Sequence, residues 1–397
     1  MSQSVRLREV VIVSAVRTAI GSLGGSLAKV PAAELGAYVV RAAVERAGLE
    51  PALVDEVLLG CVLQAGQGQN VARQAALKAG LPDRVPATTV NKVCASGLKA
   101  VALAAQAIAC GEAEVIVAGG TENMSLAPYL VPQGRFGYRL GHASLVDAMV
   151  QDGLWCAFDN VHMGESVEKI AQEFGIGRRA QDEFALSSQS KALQALQEQR
   201  FAAEIVPVSV MLNREVQQFT VDEHPRPGVT LEKLAALKPA FRADGTVTAG
   251  NASGINDGAA ALVLAARGTA ERLGLPVLAH FVTGASVAME PGRWPLGPVE
   301  ATRKALTRAG WRLQDVELIE CNEAFAVQTL AVIHSLGLNP DIVNVNGGAI
   351  ALGHPIGASG ARILVTLLHE MRRRAARRGL ATLCVGGGHG MAVLVAC

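Results

Sequence analysis

The segment Cys94–Ala100, CASGLKA, comes back about 260 residues later as Gly357–Ile363, GASGARI. The repetition continues on either side. Arg46-Ala47-Gly48 followed by DEVLLG (Asp55–Gly60) matches Arg308-Ala309-Gly310 followed by DVELIE (Asp315–Glu320), and EVIVAGG (Glu114–Gly120) matches TLCVGGG (Thr382–Gly388). Order and spacing kept over three separate segments mark an internal duplication. Each copy reads helix, strand, small-residue turn, buried helix, buried strand. Short apolar runs such as VVIVSAV (Val10–Val16), alternating with longer helical patterns, fit βα units around a sheet covered on both faces. Two such halves predict a layered α/β/α protein with pseudo-twofold symmetry. Between them lies a stretch of different texture, with Pro128, Pro132, Pro207, Pro225 and Pro227, mixed charges and an amphipathic run from Arg179 to Phe201. It is expected to be an inserted loop domain closing over a site. The predicted division is residues 1–120 plus 247–272, an insert of 121–246, and a second half of 273–397.

Composition narrows the field. A chain of 397 residues, 50% hydrophobic and 18% charged with mean hydropathy +0.29, has material for a large core and for surface buried in an oligomer. A net charge of +1 gives no reason to expect nucleic acid or an acidic membrane as partner. The basic run Arg372–Arg378 reads as a solvated helix end whose cations suit the negative pole of the dipole. The N-terminal residues lack a secretory pattern, and no window of about 18 apolar residues is expected to span a membrane. Ala100–Cys110, bounded by Lys99 and Glu112, reads as a core helix. Seven cysteines without a CxxC pair or zinc spacing imply reduced thiols, a cytoplasmic protein and no metal site, with Cys61, Cys110 and Cys156 as packing residues.

Three glycine-rich settings carry chemistry. Cys94 falls where a strand-like pattern gives way to a helix, so its sulfur is placed at a helix N-terminus, where dipole and free N–H groups favour thiolate. Its counterpart Gly357 has no thiol, so packing of the repeat does not require one. His354, in Gly-His-Pro-Ile-Gly, lies on the loop entering the equivalent helix of the other half. A pseudo-twofold brings the two helix N-termini together and sets His354 against Cys94 as base beside nucleophile. Cys384, followed by three glycines, is expected at the pocket floor near backbone N–H groups that stabilise an oxyanion.

The motifs NKVCASGLKA, NEAFA (Asn322–Ala326), GGAIALGHPIGASGAR and CVGGGHG, in this order over essentially the whole chain, resemble those of the thiolase family. The resemblance implies a duplicated α/β/α/β/α fold with an inserted loop domain. It implies reversible Claisen condensation of two acetyl-CoA to acetoacetyl-CoA and CoA. Cys94 would carry the acyl group, His354 would take its proton, and Cys384 would serve as α-proton acid/base. Asn322 would hold a water that shares one oxyanion pocket with His354, and the N–H groups of Cys94 and Gly386 would form the other. Leu154, His162, Met163, Arg226, Ala249, Ser253 and Phe325 match positions contacting coenzyme A, and His162-Met163-Gly164 resembles the short-chain branch. Coenzyme A and acyl-CoA are then substrates, with no prosthetic group, and the assembly is a homotetramer, a dimer of dimers. Trp294 departs from the methionine many thiolases carry and is expected to narrow the acyl pocket. Trp155-Cys156, Cys321 and His389 also depart from the common pattern. The alternatives are a degradative 3-ketoacyl-CoA thiolase for longer or modified chains and a non-catalytic acyl-CoA-binding scaffold. All of Cys94, Asn322, His354 and Cys384 are present, which speaks against the scaffold. A ketosynthase is disfavoured because Cys384 stands where those enzymes commonly place histidine.

Overall fold

The computed structural model describes residues 7–397. Its principal strands are β1 (Val10–Thr18), β2 (Glu56–Gly60), β3 (Ala87–Val90), β4 (Val115–Asn123), β5 (Asn256–Ala266), β6 (Ala279–Ala288), β7 (Leu318–Cys321), β8 (Arg378–Val385) and β9 (His389–Ala396). They follow one another in one mixed sheet in the order β7-β8-β9-β6-β1-β5-β4-β2-β3. The run β2-β4-β5-β1 and the run β7-β8-β9-β6 repeat the same arrangement, with the duplicated sequence segments on matching strands. The halves join where Val11 and Ile12 pair antiparallel with His280 and Ala279. Every residue of β1, β4 and β5 is buried, as unbroken apolar runs covered on both faces require.

The main helices are α1 (Ala32–Ala47), α2 (Ser96–Cys110), α3 (Met163–Phe174), α4 (Arg178–Gln197), α5 (Gly297–Ala309), α6 (Ala326–Leu336) and α7 (Ile356–Arg374). Alternation along β5 separates two cores: Ala261, Val263 and Ala265 pack toward α1, while Leu262 and Leu264 pack toward α2 and α7. A third core joins Ala305 of α5 and Val332 of α6 to Ile319, Leu380 and Leu394. The layers are therefore helix, one half of the sheet, helix, the other half of the sheet, helix, with α2 and α7 as the central layer. Contrary to expectation, one stretch is long and apolar enough to cross a membrane: Val93–Cys110 has a mean hydropathy of 1.6 over 18 residues. It contains α2, and its hydropathy belongs to a central helix whose apolar surface is met by both sheets.

The central helices cross with almost no side chain between them. A Cβ on Gly97 would lie 2.9 Å from the Ala361 nitrogen, and one on Gly360 would lie 2.7 Å from the Leu98 nitrogen. One on Gly120, in β4, would lie 2.2 Å from the Gly357 carbonyl oxygen. Glycine here permits backbone-to-backbone contact, which brings the N-terminal ends of α2 and α7 side by side. Residues between β4 and β5 carry α3, α4 and several two-stranded hairpins, held to the core by polar contacts. Arg17 of β1 bonds Glu204 at 2.5 Å and Asp222 at 2.7 and 2.9 Å, all three side chains being buried.

Candidate active site

Cys94 precedes α2 at a strained turn. Val93 has φ 48°, a left-handed conformation unfavourable for a β-branched residue. Three bonds hold it there: Asn91 Oδ1 accepts the Val93 N–H at 2.9 Å, Ser96 Oγ donates to the Val93 carbonyl at 2.6 Å, and Ser96 Oγ accepts the Lys92 N–H at 2.8 Å. The turn lifts Cys94 out of the line of β3 and into the wall of a cavity of about 270 Å³. His354 lines the same cavity from the loop before α7, so the two halves bring thiol and imidazole to one place. Its backbone N–H donates to Asn256 Oδ1 at 2.9 Å, and its Nδ1 lies 2.6 Å from Ser359 Oγ.

The thiol is not held as a thiolate. Burial pushes the Cys94 thiol up to about 11, against the lowering effect of hydrogen bonds from the N–H groups of Gly386 and of Cys94 itself, with the nearby Glu122 charge raising it further. This corrects the expectation of a thiolate stabilised by the helix terminus: loss of water outweighs the dipole and the N–H groups. Burial, then the Arg362 guanidinium, brings His354 down to about 3, so the ring is neutral at pH 7. Thiol and imidazole rest as a neutral pair. Cys384, at the end of β8, is fully buried and packs with Trp294, Ala324 and Phe325. Burial raises its thiol well above the ordinary range, and negative charge on Cys94 or Cys321 would raise it further. Asn322 directly follows β7, with its side chain buried and neither amide atom bonded to protein.

Residues 10–268 match the family model for the thiolase N-terminal domain and residues 275–397 that for the thiolase C-terminal domain. The chain belongs to the thiolase family. The acetyl-CoA acetyltransferase of Pseudomonas aeruginosa is 60% identical over 98% of this chain and 100% of its own length. That of Escherichia coli K12 is 58% identical over 98% and 99%. The crystal structure of the Bacillus anthracis acetyl-CoA acetyltransferase superposes with a TM-score of 0.97 at 46% identity, covering 99% of this chain and 100% of that one.

Within this thiolase, the cavity also takes in Leu154, His162, Met163, Ala249, Ser253, Phe325, Trp294 and Gly386. Asn322 and Cys384 lie outside its lining, and so does Arg226. Arg226 is exposed, its backbone N–H donating to Gln189 Oε1 at 2.9 Å. Trp294 is buried, its indole N–H donating to Ser166 Oγ at 2.8 Å and its ring tilted against Phe325 at 6.0 Å. Sequence reading missed Phe241, which lines the cavity and stacks on His162 at 4.6 Å. Its trace in the sequence is indirect: a Cβ on Gly164 would lie 2.2 Å from the Phe241 ring. It also missed Glu122, a fully buried carboxylate that accepts the N–H groups of Val62, Leu63 and Gly357 at 3.0, 3.1 and 2.8 Å. Burial raises its pKa to about 7. The signal was a charged residue inside the apolar strand β4.

Proposed function

We propose that this thiolase is an acetyl-CoA acetyltransferase, joining two acetyl-CoA to acetoacetyl-CoA and CoA through an acetyl-Cys94 intermediate. The observation that carries the reading is a thiol and an imidazole, from opposite halves, on one cavity, with a second thiol, Cys384, packed behind the cavity residues Trp294 and Phe325. In the first half-reaction His354 takes the Cys94 proton as sulfur attacks the acetyl carbonyl. The C–S bond to CoA breaks, and Cys384 gives the departing CoA sulfur its proton. Cys384 is then the thiolate, and the environment that raises its pKa makes it a stronger base. It removes an α-proton from the second acetyl-CoA, and the carbanion attacks acetyl-Cys94. Cys94 leaves and recovers its proton from His354, which returns every group to its starting state.

Two oxyanions form along this path. The Gly386 N–H already bonded to the Cys94 sulfur supports its assignment, with the Cys94 N–H, to one of them. A buried, unbonded amide costs about 1–3 kcal/mol, which supports Asn322 as the residue that orients a water toward the other, beside His354. His162, Met163, Leu154, Ala249, Ser253 and Phe325 would line the path of the pantetheine arm, and exposed Arg226 would meet a phosphate of coenzyme A. Trp294, clamped by Ser166 and Phe325, favours a short acyl group. A homotetramer is supported by the exposed apolar side chains of Tyr129, Phe136, Leu140 and Leu145 on one inserted segment. Cytoplasmic residence is supported by seven free cysteines.

The deciding experiment compares kcat/KM for CoA-dependent thiolysis of acetoacetyl-CoA and 3-ketooctanoyl-CoA. A strong preference for the four-carbon substrate is expected. Preference for the eight-carbon one would move the chain to the degradative branch, and turnover of neither would favour a scaffold. Cys94→Ser is expected to abolish acetyl transfer to the protein. Cys384→Ser should still be acetylated, more slowly because CoA then leaves as a thiolate, but fail to exchange α-hydrogens of acetyl-CoA with deuterated water.

A further inference from the structure

One serine of the duplicated segment serves different partners in the two halves. Ser96 and Ser359 occupy matching places in CASG and GASG. Each hydroxyl donates back to a carbonyl at the start of its helix, Ser96 to Val93 at 2.6 Å and Ser359 to Pro355 at 2.9 Å. A hydroxyl has a single proton and two acceptor lone pairs, so each oxygen remains an acceptor. Ser96 uses that capacity on the Lys92 backbone N–H at 2.8 Å. Ser359 instead lies 2.6 Å from Nδ1 of His354.

With the Ser359 proton directed to Pro355, the contact to His354 is a hydrogen bond only when Nδ1 carries the ring proton. Nε2 of the neutral ring then holds a free lone pair. The other anchor, Asn256 Oδ1 on the His354 backbone N–H, fixes where the ring hangs and is indifferent to its tautomer. Ser359 is fully buried, so no bulk water competes for Nδ1.

We propose that Ser359 is a positioning residue that locks His354 in the Nδ1–H tautomer, so that Nε2 is the atom that accepts the Cys94 proton. The proposal rests on the reading of Cys94 and His354 as nucleophile and base. It makes the site a Cys-His-Ser relay in which serine orients and does not itself transfer a proton to substrate. Without the hydroxyl, nothing on the serine side holds the proton on Nδ1. A ring with its proton on Nε2 cannot act as base at that atom. The cost should fall on proton transfer and leave acyl-CoA binding alone, because Ser359 is absent from the cavity wall.

The full-length protein can be read in two ways: alkylation of Cys94 by iodoacetamide without substrate, followed by peptide mass spectrometry, and steady-state thiolysis of acetoacetyl-CoA. Ser359→Ala is expected to slow alkylation and lower kcat by about tenfold to a hundredfold, the range for a misplaced general base, with KM within about twofold. Ser359→Thr, which restores the hydroxyl, should recover most of both rates. In a His354→Ala background, Ser359→Ala should change alkylation by less than about twofold, since coupled residues are not additive. Wild-type rates in Ser359→Ala, or an equal loss in both backgrounds, would overturn the proposal. A wild-type protein that does not cleave acetoacetyl-CoA would overturn the substrate reading instead, and the alkylation comparison would still judge Ser359.

Discussion

At the scale of single residues, desolvation governs the site. His354 has a folded pKa of about 3 against an ordinary value of 6.5. The sign follows from linkage: a depressed value means the neutral ring contributes stability that is complete above pH 6.5 and is lost as pH falls toward 3. His354→Gln, which has nothing to protonate, should therefore lose less stability than wild type across that window, as read from urea midpoints at successive pH values. Parallel curves would show that the ring stays hydrated. Trp294 decides a different quantity. Trp294→Met keeps an apolar side chain and relieves the indole bulk, and it is expected to shift the ratio of kcat/KM toward 3-ketooctanoyl-CoA by about tenfold, the worth of a methylene or two. An unchanged ratio would remove Trp294 from specificity. Cys94, His354 and Cys384 stand out in the sequence because each is a chemical group set in glycine, one of them in a repeat whose other copy lacks it. Phe241 and Glu122 do not, since a lone phenylalanine or glutamate acquires its meaning from neighbours distant in the chain.

At the scale of elements, the crossing of α2 and α7 positions everything else. The helices meet through Gly97, Gly360 and Gly357, and their first residues are anchored by Ser96, Ser359 and Glu122. Gly360→Ala places a Cβ 2.7 Å from Leu98 backbone and side chain. It is expected to destabilise the fold by about 1–3 kcal/mol through overpacking and, by spreading the helix tips, to slow Cys94 acetylation more than the stability loss explains. Chemical denaturation beside single-turnover labelling measures both, and a fully active, unshifted variant would mean the crossing has slack. A Cβ on Gly164 would enter the Phe241 ring, so Gly164→Ala should raise KM for acyl-CoA with kcat less affected. The duplicated pattern foretold two helix tips facing each other. It did not foretell that burial would leave the helix-tip thiol protonated, because the balance between a dipole and lost water depends on packing from both halves.

At the scale of the whole molecule, the inserted residues must be tied to the core, and Arg17 is the chief tie. Phe201 lies 4.9 Å beneath its guanidinium, and Glu204 and Asp222 complete its bonds. Arg17→Met is expected to cost about 3–5 kcal/mol, since two buried carboxylates lose their counter-charge. A loss below about 1 kcal/mol by urea unfolding would place those carboxylates in contact with water. The outer face of the insert makes a separate prediction. Phe136, 88% exposed, and Leu140, 98% exposed, form an apolar surface on one segment. For the proposed tetramer, replacing both by aspartate should reduce the mass in light scattering from four chains to two; a wild-type mass other than four chains would overturn the tetramer, and a mass unmoved by the change would take this segment out of the assembly.

The order of apolar runs and the duplication determined that two related α/β halves meet with the N-termini of their matching helices together. The glycine-framed Cys94, His354 and Cys384 stood out as candidates for the same reason: local composition records where backbone must come close. Tertiary structure alone decided how those groups are charged and what surrounds them. The neutral thiol and imidazole, the Ser359 bond to Nδ1, the Phe241 wall and the buried Glu122 all arise between residues far apart in sequence. Desolvation and side-chain hydrogen bonding are properties of the assembled neighbourhood, and a linear pattern does not carry them.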